Sequence, residues 1–198
     1  IEGGHSNLTY RVEGADGRVF VLRRPPLGSL LATAHDMARE HTIISSLADT
    51  EVPVAAALAL CEDETVNEAP FYIMAWVDGL VIEGADEAEN FLDATARGVL
   101  SESVVEVLAK LHAVDPDRVG LGKLGRKEDY LARQLKRWGK QWEGSKTREL
   151  PQMEEVSTAL HDPLPEQLGT STVPGDYRIG NRLLGAKGKV NPTLGWAR

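Results

Sequence analysis

The stretch "VPGDYRIGN", residues 173–181, places Asp176 directly behind Gly175 and sets Asn181 five residues further on. The preceding "TSTV" reads as a short strand, and an aspartate at a strand end is well placed as a base toward a hydroxyl. An asparagine side chain offers the hard oxygen that Mg²⁺ accepts. Turn-forming Asp and Asn in a loop would produce the same spacing, so the stretch acquires meaning only from what lies upstream.

Working back from it, "QMEEVSTALH" and "KEDYLARQLKRWGKQWE" read as helices, the latter with Tyr130, Leu131, Leu135, Trp138 and Trp142 on one face as core anchors. "SESVVEVLAKLHAVD" reads as a further helix, capped by Ser101 and burying Val104, Val105, Leu108 and Leu111. His112 ends that stripe, where a histidine is ordinarily a hydrogen-bonded packing residue. The polar, glycine-containing "DGLVIEGADEAEN" reads as a linker and divides this helical region from the first 77 residues.

Those first residues read as a small sheet. "NLTYRVE" and "RVFVLR" alternate apolar residues on either side of "GADG", the pattern of a β-hairpin. "TAHDMAREHTIISSLADT" follows as a helix, with Thr33 as cap, Met37, Ile44, Leu47 and Ala48 as its apolar stripe, and an end near Asp49 and Thr50. "AALALCE" and "PFYIMAWV" supply two more strands.

Within this frame four further features carry potential chemistry. Gly3 and Gly4, followed by His5 and Ser6, let backbone amides approach an anion, although alone they read as an ordinary turn. Arg23 and Arg24 end an apolar strand, where a guanidinium could pair with phosphate oxygens or simply sit at the surface. Glu40, in mid-helix, could hold Arg23 or lie on a solvated face. "MAWV", residues 74–77, closes the last strand before the linker.

Bulk properties narrow the field. With 30 acidic and 22 basic residues the net charge is −8, which repels polyanions and anionic lipid, so neither nucleic acid nor a membrane is an expected partner. Cys61 is the single cysteine, which removes internal disulfides and makes a reducing, cytoplasmic location the expectation; small core filler is its expected role. The five histidines show no metal-ligand spacing with it. The chain opens on Ile1 rather than Met, which points to residues before it.

Glycine loop, strand cation, helix glutamate, apolar strand, helical lobe and D-x4-N follow one another in the order of a kinase-like phosphotransferase. "GGHSNLTY", "VLRRPPLG", "ATAHDMAREH", "PFYIMAWVDG", "LAKLHAVDPDRVGLG", "RQLKRWGKQWEGSKTRELP" and "GDYRIGN" together resemble the aminoglycoside phosphotransferase and choline kinase superfamily. The branch they resemble is similar to the kinase-like domain of some acyl-CoA dehydrogenases.

The resemblance implies an α+β, protein-kinase-like fold with a β-rich lobe over residues 1–77 and a helical lobe, cut short, over 78–198. It implies transfer of the γ-phosphoryl group of ATP, with Mg²⁺, to a small-molecule hydroxyl, and association with acyl-CoA dehydrogenase-type enzymes. By it, Gly3, Gly4 and Ser6 cover the phosphates, Arg23 pairs with them and Glu40 holds Arg23. Met74, Trp76 and Val77 receive adenine, Asp176 is catalytic and Asn181 is a magnesium ligand.

Two positions depart from the family pattern. Pro174 stands where the family has histidine, removing a donor and a brace, and Gly195 precedes Trp196 where the family has a metal-binding aspartate. With the stop at Arg198, these are the expected marks of a truncated or frameshifted phosphotransferase with impaired activity. The alternative is a catalytically inactive nucleotide-binding or interaction module.

Overall fold

The computed structural model describes residues 7–26, 36–162, 164–185 and 188–190. The expectations placed on Gly3, Gly4, Ser6, Thr33, Gly195 and Trp196 therefore lie outside the described residues. The chain forms two compact units: one runs to Gly122 and resumes at Ser171, the other is Lys123–Thr170.

In the first unit, β1 (Leu8–Glu13) and β2 (Val19–Arg24) form the expected antiparallel hairpin, with Tyr10 opposite Leu22 and Thr9 opposite Arg23. β3 (Ala57–Cys61) and β4 (Phe71–Ala75) complete a four-stranded antiparallel sheet of order β1-β2-β4-β3. β1 is an edge strand, which is why Tyr10 and Val12 of its alternating pattern remain exposed. Cys61, at the end of β3, is half-buried rather than core filler.

α1 (Met37–Leu47) lies against β3 and β4 and buries Met37, Ile43, Ile44 and Leu47 against the sheet side that carries Val21, Tyr72 and Met74. Asp36 is its N-cap, accepting a hydrogen bond from the backbone N–H of Arg39, and the helix stops at Leu47, before Ala48 can join the buried stripe. A four-residue helix, α2 (Glu64–Asn67), caps itself with Asp63 between β3 and β4.

The polar stretch after β4 is not a bare linker. Leu80 pairs with Leu184 as an isolated antiparallel bridge, Ile82 is fully buried, and Ala85–Phe91 form α3. α4 spans Ala94–Ala113 and is capped by Asp93, not by Ser101, which lies in mid-helix with its hydroxyl donating to the Arg97 carbonyl. Its buried stripe is Leu100, Val104, Val107 and Leu111; Val105 points to solvent at 67% exposure, and His112 is exposed as well. Leu100 and Val107 pack with Ile82, Leu184 and Val190 into the core of this region.

The second unit holds α5 (Tyr130–Ser145) and α6 (Pro151–His161). Gln167 ties its ends together, accepting from the Tyr130 N–H at 3.2 Å and donating to the Lys127 carbonyl at 2.8 Å. Here the expectation of core aromatics fails: Tyr130, Leu131 and Trp138 are exposed and Trp142 is half-buried. A pair of helices has one shared seam, too little to cover the apolar face of both. Residues 170–173, expected as a strand, form no strand.

Candidate functional site

β-sheet register builds the first cluster. Thr9, Arg23 and Tyr72 are cross-strand neighbours on β1, β2 and β4, so their side chains emerge side by side on the face covered by α1. Glu40 comes down onto them from α1, at 7% exposure. Its Oε2 accepts from Arg23 Nε at 2.8 Å and from the Tyr72 hydroxyl at 3.1 Å, while Oε1 accepts from Asn7 Nδ2 at 2.8 Å. Arg23 Nη1 reaches Thr9 Oγ1 at 3.2 Å.

A carboxylate this deeply buried survives only because its lone pairs are occupied by charged and neutral donors. Burial first, and the adjoining Glu40 carboxylate second, hold the Tyr72 phenol protonated far above the ordinary tyrosine range, which keeps it a donor. The solvated-face reading of Glu40 is therefore wrong, and Arg23 and Glu40 form the pair expected of them. Asn7, Thr9 and Tyr72 are the partners that sequence reasoning missed.

β4 then runs out toward residues 74–77. Met74 is fully buried opposite Val21, whereas Trp76 and Val77 are half-buried beyond the last sheet pair. The Trp76 indole N–H donates to Asp78 Oδ1 at 2.8 Å, and the Arg11 guanidinium lies 5.7 Å from its ring centre. From there the chain turns onto the segment that follows the second cluster. Leu80 and Leu184 exchange backbone hydrogen bonds of 2.9 and 2.8 Å, and a Cβ on Gly79 would stand 3.0 Å from Leu183 Cβ and 3.1 Å from the Leu184 carbonyl.

The second cluster is residues 176–182. Asn181 Nδ2 donates to both the carbonyl and Oδ2 of Asp176, at 3.1 and 3.0 Å, so the two residues of the D-x4-N spacing meet. A short 3₁₀ turn, Ile179–Asn181, brings them together. The Asp176 carboxylate is 55% exposed, open to an incoming group.

The loop is anchored by the residues that follow Asp176, despite Pro174. Tyr177 donates its hydroxyl to the Val104 carbonyl of α4 at 2.6 Å, and the buried Arg182 guanidinium stacks 3.9 Å from the Tyr177 ring centre. Arg178 Nη1 pairs with Glu83 Oε2 at 3.3 Å and its Nε lies 3.6 Å from Asp176 Oδ2. Tyr177, Arg178, Arg182 and Glu83 were not singled out from sequence; their nearness to Asp176 was the available signal for the first three.

Asn181 uses its amide N–H₂ on Asp176, which orients its carbonyl oxygen as the donor a hard cation takes. Among the described residues no group of three or more His, Cys, Asp or Glu side chains is placed to enclose a metal ion. That donor set fits Mg²⁺, which keeps waters and phosphate oxygens in its shell and needs few protein ligands, better than it fits a cation demanding a full protein cage. Among the same residues no helix is long and apolar enough to cross a membrane.

Comparison with known proteins places this architecture. The family model described as the phosphotransferase enzyme family matches residues 1–191. Acyl-CoA dehydrogenase family member 10 of Mus musculus is 36% identical over 197 residues, covering 99% of this chain and 18% of that protein. A Ralstonia eutropha crystal structure, provisionally named an aminoglycoside phosphotransferase, is 32% identical with a TM-score of 0.79, over 99% of this chain and 60% of that one. A thermostable aminoglycoside phosphotransferase mutant, in ternary complex with AMP-PNP and hygromycin B, shares the fold at 15% identity, with a TM-score of 0.64 over 100% of this chain and 64% of that one.

The chain thus spans about a fifth of the mouse relative and three fifths of the Ralstonia structure. Its fold is α+β and protein-kinase-like, with a small antiparallel sheet lobe and a helical lobe. The extent of the family match and of the structural likeness makes the chain a member of the phosphotransferase enzyme family.

Proposed function

We propose that this chain serves ATP-dependent transfer of a phosphoryl group to the hydroxyl of a small molecule. The observation that carries the reading is the pairing of Asp176 with Asn181 in a fold that also buries an Arg23–Glu40 ion pair. The AMP-PNP and hygromycin B bound by the structural relative support a nucleotide and a hydroxylated acceptor as the ligand classes.

In this reading residues 1–77 form the nucleotide-covering lobe and residues 78–198 the helical lobe. Arg23, fixed through Nε by Glu40 and through Nη1 by Thr9, turns Nη2 to phosphate oxygens; Gly3, Gly4 and Ser6 add donors from the loop before β1. Met74, Trp76 and Val77 line the adenine side, where β4 runs out of the sheet. Asn181 contributes its amide oxygen to Mg²⁺, which neutralises phosphate charge when bound. Asp176 orients the acceptor hydroxyl and takes its proton on a carboxylate oxygen.

Acyl-CoA dehydrogenase-type enzymes are the proposed partners, because the mouse relative carries that name over a much longer chain. Calorimetric titration of ATP with and without Mg²⁺ tests the nucleotide half of the proposal. Binding that tightens with Mg²⁺ in the natural sequence, and loses that dependence in Asn181→Ala, is the expected result. Binding indifferent to the metal would instead favour a catalytically inactive nucleotide-binding module, the reading that Pro174 motivates.

A further inference from the structure

We infer that Arg178 is a positioning residue for Asp176, held in place by Glu83, and that Gly180 is glycine to let Glu83 approach. The inference rests on the catalytic reading of Asp176 and adds to it. Arg178 uses two edges of one guanidinium: Nη1 meets Glu83 Oε2 at 3.3 Å and Nε stands 3.6 Å from Asp176 Oδ2. That Asp176 oxygen is also the acceptor for Asn181 Nδ2, so Arg178 and Asn181 converge on a single carboxylate oxygen.

Glu83 is itself fixed from behind. Its backbone N–H donates to Glu87 Oε2 at 2.8 Å, a cap that sets where the chain enters α3. Gly180 then makes room for its side chain. A Cβ at Gly180 would lie 2.5 Å from Glu83 Oε2 and 3.0 Å from its carboxyl carbon. Gly180 is not among the described glycines with positive φ, so its backbone could carry alanine, but a side chain there would push the Glu83 carboxylate out of its present place.

The pair is half-exposed, with side-chain exposures of 48% and 47%, and exposed ion pairs add little to stability. Its effect is on the direction of the Asp176 carboxylate. A fork that engages two carboxylates at once is a property of arginine; lysine keeps the charge but concentrates it on one nitrogen.

Four variants test this: Arg178→Gln, Arg178→Lys, Glu83→Gln and Gly180→Ala. The first readout is the Asn181 side-chain amide resonance in a ¹⁵N–¹H spectrum, which reports the Asp176 oxygen directly. The second is the split between kcat and KM for ATP. All four are expected to fold with unchanged melting temperature, to move the Asn181 resonance, and to lower kcat about tenfold with KM within about twofold. Adding Glu83→Gln to Arg178→Gln is expected to change nothing more. The inference is overturned if the Asn181 resonance stays put in Arg178→Gln, if lysine restores the natural values, or if the two losses add. Should the natural chain transfer no phosphate, the catalytic reading falls, and the resonance alone then decides whether Arg178 positions Asp176.

Discussion

Glu40 receives hydrogen bonds from Asn7, Arg23 and Tyr72, and a carboxylate so enclosed is costly to disturb from any side. Glu40→Ala leaves the Arg23 guanidinium buried without its counter-charge and is expected to cost about 3–5 kcal/mol, read as a lower urea midpoint at unchanged slope. Tyr72→Phe removes one donor to a charged group and is expected to cost about 2 kcal/mol in the same measurement. A Glu40→Ala loss no larger than that of a surface substitution would show that the pair is not part of the core. This pairing was legible through the order of motifs and not through local pattern, since a glutamate in mid-helix equally suits a wet face. One local signal was overlooked: Glu40 falls on the very stripe, Met37, Glu40, Ile44 and Leu47, that α1 buries. An acidic residue on an apolar stripe has to be paired. Asp176 and Asn181 were legible from their spacing together with the resemblance. Arg178 and Glu83 were not, because they lie 95 residues apart and only the folded chain joins them.

At the scale of elements, α4 is the informative case. Its N-terminus is set by Asp93, whose carboxylate accepts from the Ala96 N–H at 2.7 Å, eight residues before the serine that the sequence suggests. Asp93→Ala should therefore cost about 1 kcal/mol, while Ser101→Ala should leave the denaturation midpoint where it is. Ser101 looked like a cap because "ATARGVL" ahead of it carries a glycine and an arginine and no clean apolar stripe; Leu100 alone of that first stretch is buried. Of the expected stripe, Val104 and Leu111 face the core, while Val107 and Leu100 take the places expected of Leu108 and Val105. Leu111→Ala is expected to cost about 2–5 kcal/mol by opening a cavity, and Val105→Ala less than about 0.5 kcal/mol, because Val105 faces solvent. α3 was hidden for a related reason. Its sequence "ADEAENF" has the composition of a linker, and it owes its helical form to a start fixed by Glu87 and to the packing of Ala88 and Leu92 on the Ile82 core. The hairpin and the strands β3 and β4, by contrast, were legible because period-two alternation and turn residues agree in them.

For the molecule as a whole, stability is unevenly distributed. No described residue of α5 or α6 is buried, whereas the unit that includes the sheet, α1 and α4 holds Tyr72, Met37, Leu47, Ile82 and Leu111 at 2% exposure or less. Hydrogen exchange should therefore be fastest across residues 130–161 and slowest in β2, β4 and α1; uniform protection would contradict this distribution. Trp138 and Trp142 misled the sequence reading because helical spacing specifies which side chains share a face, and not whether anything covers it. Fold class was legible from the order of strand, helix and loop features, and the core of the candidate site with it. What order alone left open was how a loop carrying Pro174 is braced, which the contacts of Tyr177 with α4, of Arg182 with Tyr177 and of Arg178 with Glu83 supply. The central claim, that Asp176 handles the proton of an acceptor hydroxyl during phosphoryl transfer, is tested most directly by following γ-labelled phosphate from ATP onto a panel of hydroxylated small molecules. The account predicts transfer by the natural chain and a fall of about 10²- to 10⁴-fold in Asp176→Ala; equal transfer by the two proteins would contradict it.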